Sequence, residues 1–599
     1  AARSDLEPYK EGVQTLQNFV CDARGPVRMR TGTKFLAKIP TVGEPGRYTC
    51  NVIPLDLRYA PKDAVAVFYA NKVIVFDTDG IGQTPSMAYD CGFTEEEIQY
   101  AVTPTNDRVY IVNSNHEPMQ LYYEGTWKFA TADFTGLPGN PKTITFYQGR
   151  LWLGNFGGPD TMRFMGSESG VFTNFTITDP PPEPLTASYP VSYQIADDGE
   201  IYFLVGQRTL IIGTTFGEYT ANTPEGAAVL GGEVLPDIIQ QSAFGTTPIQ
   251  PNKIAQGVFY VTADSERLRD IRYQWVANGY LSNDISFLYK GSTSSRGLPV
   301  AGKSNHFVKL AYSQNPFSII WLPDRNGGMS GCAFEMVTGE KSVFGWSTHP
   351  TQWNEVEQRY TGLWRSVAVT QRAGRSTTWV LVDRAGTTPG DSDRRTLYLE
   401  RGMLPDEEYY TDSYQNYEIS AATYPQGTDT ISTTDLPHLD NLQGQTIRVV
   451  IQPSDTTGGR PDEAPATLPL FTYTGGSISL PQAFLPGSIV TVGLPYKGKL
   501  VTLPMDQASG GGSAMVWKKR WNKIVLRVFD SATPRVNGQL LPVMYPTTPM
   551  GFGQPSIQQA DLTYRNLDWD DTGRIYIEQH QPMRTQILGI FGEAAFDTL

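Results

Sequence analysis

Cysteine and histidine are scarce in this chain of 599 residues. Its four cysteines, Cys21, Cys50, Cys91 and Cys332, lie far apart and form no Cys-x-x-Cys pair, so the ligand spacing of a zinc site is absent. We expect four free thiols, with a disulfide as the alternative. The five histidines are equally scattered, so a metal-dependent mechanism has little support. We predict neither a metal nor a cofactor.

Long apolar runs are also missing. No stretch approaches the roughly 18 consecutive apolar residues of a membrane span, and charged residues are frequent within the first thirty positions. We therefore expect neither a membrane span nor a signal peptide.

Lys and Arg are in deficit, 48 against 61 Asp and Glu, which gives a net charge of −13. The 40% hydrophobic and 18% charged residues exclude a disordered or fibrous chain.

Glycine, proline and aromatic residues are plentiful: 58 Gly, 43 Pro and 12% aromatics. A chain dense in turns and rich in aromatic residues is typical of an all-β fold. From residue 65 to about 400, short apolar runs alternate with period two between turn residues, which predicts hairpins. Examples are AVAVFY and KVIVFD across Ala70–Asn71, EIYFLV and TLIIGT, and SVAVTQ and TWVLVD.

The near-even spacing of these hairpins favours a β-propeller, in which each blade is a small antiparallel sheet. A pair of β-sandwiches is the alternative. We expect few short helices, with candidates at Thr94–Val102, where Thr94 could cap an acidic first turn, and at Asp237–Ser242.

Changes in composition predict three regions. Residues 1–405 would hold N-terminal platform strands and the β-propeller. Residues 406–513, nearly free of charge after an acidic, Tyr-rich start, would form a small inserted β-domain that ends in a flexible Gly/Ser return linker. Residues 514–599 would form a C-terminal β platform region with strands WNKIVLRVFD, GRIYIEQ and TQILGIFGE.

Three short motifs match catalytic or binding patterns, but their context favours loops. The segment 297–304, GLPVAGKS, has the letters of a phosphate-binding P-loop, yet a period-two strand pattern follows it where a helix should begin. The segment 77–80 starts like a calcium loop and lacks the later acidic ligand. The segment 390–393, GDSD, has no histidine nearby to activate its serine.

Paired carboxylates could form a glycosidase active site, because two acidic side chains at blade ends could hydrolyse a glycosidic bond. A chain with 61 carboxylates contains such pairs by chance. The candidates are Asp197, Asp198, Asp264, Glu266, Glu407 and Glu408.

One basic, aromatic cluster stands out in this acidic chain: Trp517, Lys518, Lys519, Arg520 and Trp521. It could contact DNA phosphates or an acidic partner surface. The alternative, which we favour, is an amphipathic edge strand whose lysines discourage edge-to-edge pairing.

Several segments, taken in their order, resemble one protein family. The opening segment contains Asn-Phe followed by Gly-Pro-x-Arg-x-Arg-x-Gly-Thr. Further matches are FYQGRLWLGN, LIIGTTFGEY, GVFYVTADSERLRDIRY, GWSTHP, LPHLDNLQGQTIRVV with VGLPYKGKLVTLP, and PMRTQILGIFGE. The chain thereby resembles the tail tubular protein B, or tail nozzle, family of short-tailed bacteriophages. The opening positions concerned are Asn18, Phe19, Gly25, Arg28, Arg30, Gly32 and Thr33.

This resemblance implies a structural virion protein, not an enzyme. It implies a hexamer beneath the dodecameric adaptor ring (tubular protein A-like), assembled in the host cytoplasm and located in the virion tail. Tail fibres or spikes would contact it, and double-stranded DNA would pass through it transiently during ejection. The family supplies no catalytic residues to transfer.

An acidic channel wall would repel DNA and let it pass, whereas many Lys or Arg contacts would retain it. We therefore predict that Asp406, Glu407 and Glu408 line or gate the channel. The competing functions are a propeller glycosidase or depolymerase that acts on host surface polysaccharide, and a sugar-binding propeller without catalysis.

Overall fold

The computed structural model is built almost entirely from β-strands, which make up 57% of it against 2% helix, so the all-β prediction is confirmed. Among the described residues, no helix is long and apolar enough to cross a membrane. The described residues are 12–22, 25–39, 50–61, 63–77, 87–90, 98–179, 186–223, 229–231, 235–287, 289, 306–337, 341–354, 358–372, 374–385, 395–402, 409–452, 466–506, 508–509, 512–513, 515, 517–540, 558–565 and 568–597.

Four short strands precede the first regular sheet: β1 (Val13–Gln17), β2 (Phe19–Cys21), β3 (Val27–Met29) and β4 (Thr33–Lys38). Only β2 and β3 pair with each other, as a hairpin. The other two join sheets formed much later in the chain, so the N-terminal segment links distant parts of the fold.

Five antiparallel sheets of four strands follow, and each pairs its strands in chain order. The first two contain β5 (Asn51–Pro54), β6 (Val65–Tyr69), β7 (Lys72–Phe76) and β8 (Met87–Asp90), then β9 (Gln99–Val102), β10 (Arg108–Asn113), β11 (His116–Tyr123) and β12 (Trp127–Thr131). The third contains β13 (Thr143–Tyr147), β14 (Arg150–Gly154), β15 (Arg163–Gly166) and β16 (Val191–Gln194). The fourth and fifth contain β17 (Ile201–Gly206), β18 (Leu210–Thr214), β19 (Glu218–Asn222) and β20 (Asp237–Ser242), then β21 (Asn252–Ile254), β22 (Gly257–Val261), β23 (Leu268–Gln274) and β24 (Gly279–Asp284).

Two further sheets continue this series. The sixth contains β25 (Ala311–Ser313), β26 (Ile319–Pro323), β27 (Met329–Val337) and β28 (Lys341–Thr348), and is followed by a small hairpin of β29 (Trp353–Asn354) and β30 (Arg359–Tyr360). The seventh contains β31 (Leu363–Arg372), β32 (Arg375–Ala385) and β33 (Arg395–Gly402). Its fourth strand is β4, which pairs antiparallel to β33.

The remaining strands extend these sheets, complete a five-stranded sheet and form two small two-stranded sheets. They are β34 (Asp412–Glu418), β35 (Thr428–Ile431), β36 (Thr446–Gln452), β37 (Ala466–Thr467), β38 (Phe471–Thr472), β39 (Ile478–Phe484), β40 (Ile489–Leu494), β41 (Gly498–Thr502), β42 (Ala508–Ser509), β43 (Gly512–Ser513), β44 (Lys518–Ser531), β45 (Arg535–Val536), β46 (Gln558–Arg565), β47 (Tyr576–Gln579) and β48 (Gln586–Asp597). Strands β34, β40, β36 and β37 extend the seventh sheet, and β1, β41, β47 and β45 extend the sixth. Strands β2, β3, β48, β44 and β46 form a five-stranded sheet. Two 3₁₀ helices, Gly158–Asp160 and Leu439–Leu442, complete the described elements.

Six hydrophobic clusters lie between sheets that are consecutive in the chain, and a seventh lies between the seventh sheet and the first. Because side chains alternate along a strand, β10 sends Ile111 into the cluster with the first sheet and Tyr110 into the cluster with the third. The seventh sheet packs in the same way against the first. Representative pairs, in order, are Phe68 and Ile111, Tyr110 and Leu151, Trp152 and Ile212, Phe203 and Tyr260, Phe259 and Phe334, Trp321 and Val380, and Trp379 and Val67.

A separate core lies inside the region expected to be an inserted β-domain. This cluster runs from Tyr417 to Leu494 and contains no member from outside that stretch among the described residues. Strand β41 lies within the same expected region but pairs with β1 and β47, so it belongs to the extended sixth sheet. The Gly/Ser return is not a plain linker at Ser509 and Gly512, which pair with each other as β42 and β43.

Both helix predictions fail where the structure describes the residues. Asp237–Ser242 is strand β20, the last strand of the fourth sheet. Residues 91–97 lie outside the described residues, and the rest of the second candidate, Gln99–Val102, is strand β9. An acidic first turn favours a helix only weakly, and pairing with β19 and β10 outweighs it.

The hairpin of β6 and β7 confirms the turn predicted at Ala70–Asn71. Both turn residues have positive φ angles, 51° and 60°, as a two-residue hairpin loop requires. Alanine is strained in this left-handed region. Ala70→Gly is therefore expected to stabilise the protein by about 1 kcal/mol, seen as a higher thermal unfolding midpoint.

The reverse change at a comparable turn is the control for this prediction. Gly125 also has a positive φ, 75°, and a Cβ there would meet no atom within 4 Å. Gly125→Ala should therefore lower the midpoint through backbone strain alone. A fall in the midpoint for Ala70→Gly would contradict the turn geometry.

Candidate functional site

Several residues singled out from the sequence lie outside the described residues. They are Asp406, Glu407 and Glu408, the P-loop match at 297–304, the GDSD segment at 390–393, and positions 78–80. The prediction that the three acidic residues line or gate a channel stays a prediction. Cys91 also lies outside, whereas Cys21 and Cys332 are free thiols as expected.

Two of the carboxylates considered for glycosidase chemistry, Asp197 and Asp264, accept hydrogen bonds from neighbouring groups of the protein. Asp197, in the loop before β17, accepts the hydroxyl hydrogen of Tyr219. Asp264, in the turn between β22 and β23, accepts the backbone N–H of Glu266 at 3.0 Å and the hydroxyl hydrogen of Thr262. Within the described ranges, no group of three His, Cys, Asp or Glu side chains could hold a metal ion.

The basic, aromatic cluster is divided by the alternation of β44. Lys519 is 1% exposed and donates from Nζ to the backbone oxygen of Asp571 at 2.9 Å. Trp521 donates from Nε1 to the backbone oxygen of Gly573 at 2.8 Å. These two side chains therefore fasten β44 to the segment before β47, and the buried Lys519 is not available as a partner surface.

The exposed part of that cluster is smaller than the sequence suggested. Lys518 and Arg520 are exposed, and the Arg520 guanidinium lies 5.3 Å from the ring centre of Trp569. Trp517 packs edge-on against Phe596, with ring centres 6.4 Å apart. A partner surface here would consist of two cations beside aromatic rings.

The edge-strand interpretation of this segment is wrong. Strand β44 lies between β48 and β46 in the five-stranded sheet. Beyond the end of β46, Lys519 exchanges two backbone hydrogen bonds of 2.8 Å with Asp570. The residues that pair with β44 lie more than 25 positions away in sequence, so local patterning could not reveal them.

The most highly organised polar site in the described structure is a buried ionic network. It joins the N-terminal segment, the loop after β28, the seventh sheet and β34. Its members are Arg30, Thr33, Thr351, Arg384, Glu400 and Asp412, all at most 3% exposed.

Arg30 and Asp412 form the first ion pair of the buried ionic network. Two parallel hydrogen bonds of 2.7 Å join the guanidinium to the carboxylate, and both side chains are fully buried. The third guanidinium nitrogen, Nε, donates to Asn18 at 2.9 Å. Burial alone would lower the pKa of Arg30, but the charge of Asp412 outweighs it and raises that pKa above its usual value. Arg30 therefore stays charged.

Arg384 and Glu400 form the second pair, at hydrogen-bond distances of 2.6 and 3.0 Å. Thr351 links the two pairs, because its hydroxyl donates to Asp412 at 2.6 Å and accepts from Arg384 at 2.8 Å. Thr33 donates to Glu400 at 2.6 Å. Two positive and two negative charges thus compensate each other within the protein.

Two neighbours enclose the Arg30 side of the buried ionic network. The Tyr496 ring stacks on the guanidinium, 3.9 Å from ring centre to carbon, and its hydroxyl donates to the Arg30 carbonyl at 2.5 Å. At Gly32 an added Cβ would lie 1.8 Å from the backbone oxygen of Thr411. Only glycine permits this approach of two backbones.

His349 lies beside the buried ionic network and is buried as a neutral ring. Its Nε2 is 2.9 Å from the Ser347 hydroxyl, and its carbonyl accepts the Trp364 indole N–H at 2.6 Å. Burial, and then the charge of Arg30, lower the pKa of His349 well below 6.5. The folded ring therefore takes up no proton at mildly acidic pH.

This shift predicts a pH dependence of stability. Below an unfolded-state pKa of about 6.5 the unfolded chain binds a proton at His349 and the folded protein does not, so stability falls as the pH falls. The contribution is about 1 kcal/mol per pH unit between pH 6.5 and 5. His349→Gln should make unfolding midpoints less dependent on pH over this range than in the wild type. Equal slopes would contradict the neutral, buried histidine.

The buried ionic network is a structural site, because its charged groups are paired and shielded from solvent. Only some of its residues could be identified from the sequence. Asn18, Arg30, Gly32, Thr33 and His349 belong to the segments that carry the family resemblance. Sequence analysis missed Thr351, Arg384, Glu400 and Asp412, although charged residues inside the apolar strands around Arg384 and Glu400 were a usable sign.

The chain matches no protein-family model, and no curated protein is significantly similar to it.

Proposed function

We propose that this chain is the subunit of a hexameric lower tail tube, the nozzle of a short-tailed bacteriophage, through which genomic DNA passes during ejection. One observation carries the proposal: the resembling residues in two separate segments, Asn18 to Thr33 and Ser347 to His349, meet at the buried ionic network. Residues that hold distant segments of the chain together are consistent with a structural subunit of a virus particle. The adaptor ring and the fibres or spikes would be its partners.

We further infer that the five four-stranded sheets, with the first four strands of the sixth sheet and of the seventh, are the blades of a seven-bladed propeller. The cluster that joins Trp379 of the seventh sheet to Val67 of the first supports a closed ring of sheets. Completion of the seventh sheet by N-terminal β4 would fasten that ring. In a pair of sandwiches, by contrast, two sheets would share one core. In this protein, each of the seven sheets packs against a neighbouring sheet on both of its faces.

Exposed apolar side chains support assembly with other chains. At the turn between β23 and β24, Trp275 is 78% and Val276 90% exposed. Leu235, Phe287 and Phe216 are also largely exposed. Trp275 and Val276 are adjacent, and exposed apolar surface of this kind suits contacts with a partner, in which aromatic residues are enriched.

Electron microscopy of the purified full-length chain, with its mass measured by analytical ultracentrifugation, tests the proposal. We expect six-fold rings with an axial channel and a mass of six 66.2 kDa chains. Monomers at every concentration, together with release of reducing sugar from host surface polysaccharide, would instead support the glycosidase alternative. The polysaccharide assay should be negative if the chain is only a conduit.

A further inference from the structure

A cavity of about 240 Å³ lies where four parts of the chain meet: the β2–β3 hairpin, the sixth and seventh sheets, and the start of β48. We call it the arginine cavity. Its walls combine apolar side chains with the guanidinium groups of three arginines, so its chemistry is amphipathic. The lining residues that matter here are Arg28, Phe317, Ile319, Trp321, Tyr410 and Arg584.

Two of the arginines that line the cavity, Arg28 and Arg584, bring neighbouring guanidinium groups to it. Arg28, on β3, is exposed, lies 5.1 Å from the ring centre of Phe317, and forms no ion pair with a described carboxylate. Arg584 pairs with Asp530. Burial, and then the positive charge of Arg28, lower the pKa of Arg584, so the two guanidinium groups are close enough to repel each other. An anion placed beside both would relieve that repulsion.

The other charged groups of the cavity do not supply this anion. Arg30 also lines it, but its charge is met by Asp412 within the buried ionic network. Asp22 is the carboxylate among the described lining residues, and it still leaves Arg28 without an ion pair. Arg28 therefore keeps a guanidinium group that an anion can reach, and this group stays charged at any ordinary pH, since arginine does not deprotonate.

The apolar walls set the second requirement for a ligand. Phe317, Ile319 and Trp321 contribute aromatic and branched aliphatic surface. A cavity of 240 Å³ is larger than the roughly 150 Å³ apolar cavity that holds benzene. It can therefore enclose a group the size of a phenyl or indole ring.

We propose that the arginine cavity binds a small organic anion whose carboxylate is attached to an aromatic or branched aliphatic group. Arg28 and Arg584 bind the carboxylate, because a guanidinium fork matches its two oxygens. Phe317, Ile319 and Trp321 enclose the apolar part. The site lies within one chain and does not depend on the proposed tail function. A bound ligand would connect the N-terminal hairpin to the sheets and raise the unfolding temperature.

Calorimetric titration of the full-length chain with indole-3-acetate tests this proposal. Two matched compounds separate the requirements: acetate keeps the charge without the ring, and indole-3-acetamide keeps the ring without the charge. We expect saturable binding of indole-3-acetate and binding at least about tenfold weaker for both matched compounds, as expected when a charged hydrogen bond or a buried ring is lost. Equal affinity for the acid and the amide, or no binding of the acid at all, would overturn the proposal.

Arg28→Gln is the decisive variant, because Arg28 is exposed and its loss should leave the fold intact. We expect indole-3-acetate to bind at least about tenfold more weakly to it. Arg58→Gln is the matched control, since Arg58 is also exposed and stacks on an aromatic ring, that of Tyr59 at 5.5 Å. Unchanged affinity in Arg28→Gln, with an unchanged unfolding midpoint, would place the ligand elsewhere and overturn the proposal.

Discussion

Asp412→Asn is expected to lower the free energy of unfolding by about 3–5 kcal/mol, because it leaves the charge of Arg30 buried without its partner. The pair is fully buried and joined by two hydrogen bonds of 2.7 Å. The substitution keeps the shape of the side chain and removes its charge. Urea unfolding followed by tryptophan fluorescence measures the loss, and Trp364, 5.9 Å from the Arg30 guanidinium, reports on the site.

The chain contains a matched control for this prediction. Arg527 and Asp561 also form a two-bond pair, at 2.8 and 2.9 Å, but their side chains are 53% and 46% exposed. Asp561→Asn should therefore cost no more than about 1 kcal/mol. Similar losses for the two variants would mean that the buried ionic network does not hold the segments together.

Gly32→Ala is expected to destabilise the protein by about 3 kcal/mol or more, at the upper end of the cost of forcing extra volume into a packed site. The new methyl group would lie 1.8 Å from the Thr411 oxygen and 2.5 Å from its carbonyl carbon. These are backbone atoms, and a hydrogen bond of 2.7 Å from the Gly32 N–H to the Tyr409 oxygen holds the two segments together. The two segments must separate, which also weakens the contact of Arg30 with Asp412.

Gly279→Ala is the control for this second prediction. Its added Cβ would meet its nearest atom at 3.6 Å, an ordinary contact, and its φ is not in the left-handed region. We expect a change within about 0.5 kcal/mol. Thermal midpoints and expression of soluble protein compare the two variants. Normal stability of Gly32→Ala would contradict the close approach of residues 32 and 411.

Local sequence patterning predicted the hairpins well, because both strands and their turn lie within a few residues of one another. The pairs β6 with β7, β17 with β18, and β31 with β32 all form where period-two patterns flank a turn. The strands of the C-terminal region were also located correctly, at β44, β47 and β48.

Long-range pairing could not be predicted in the same way. Asp237–Ser242 became a strand because β19 is beside it, and β44 became an internal strand because β46 and β48 flank it. Neither neighbour can be identified from the segment itself. Strand β4 likewise pairs with β33, more than 350 residues later.

The buried ionic network shows the same limit at the level of single residues. Arg30 and Gly32 could be singled out because they belong to a compact motif. Asp412 is 382 residues from Arg30 and lies in an acidic, Tyr-rich stretch where nothing distinguishes it from its neighbours. Only the fold shows which of the chain's 61 carboxylates forms an ion pair with Arg30.

Electron microscopy of mature virions labelled with an antibody against this chain tests the proposed tail function most directly. The account predicts label at the distal end of a short tail, with none on the capsid. Virions that contain the chain elsewhere, or lack it, would contradict a nozzle. The buried ionic network would then hold together the segments of a protein with a different function.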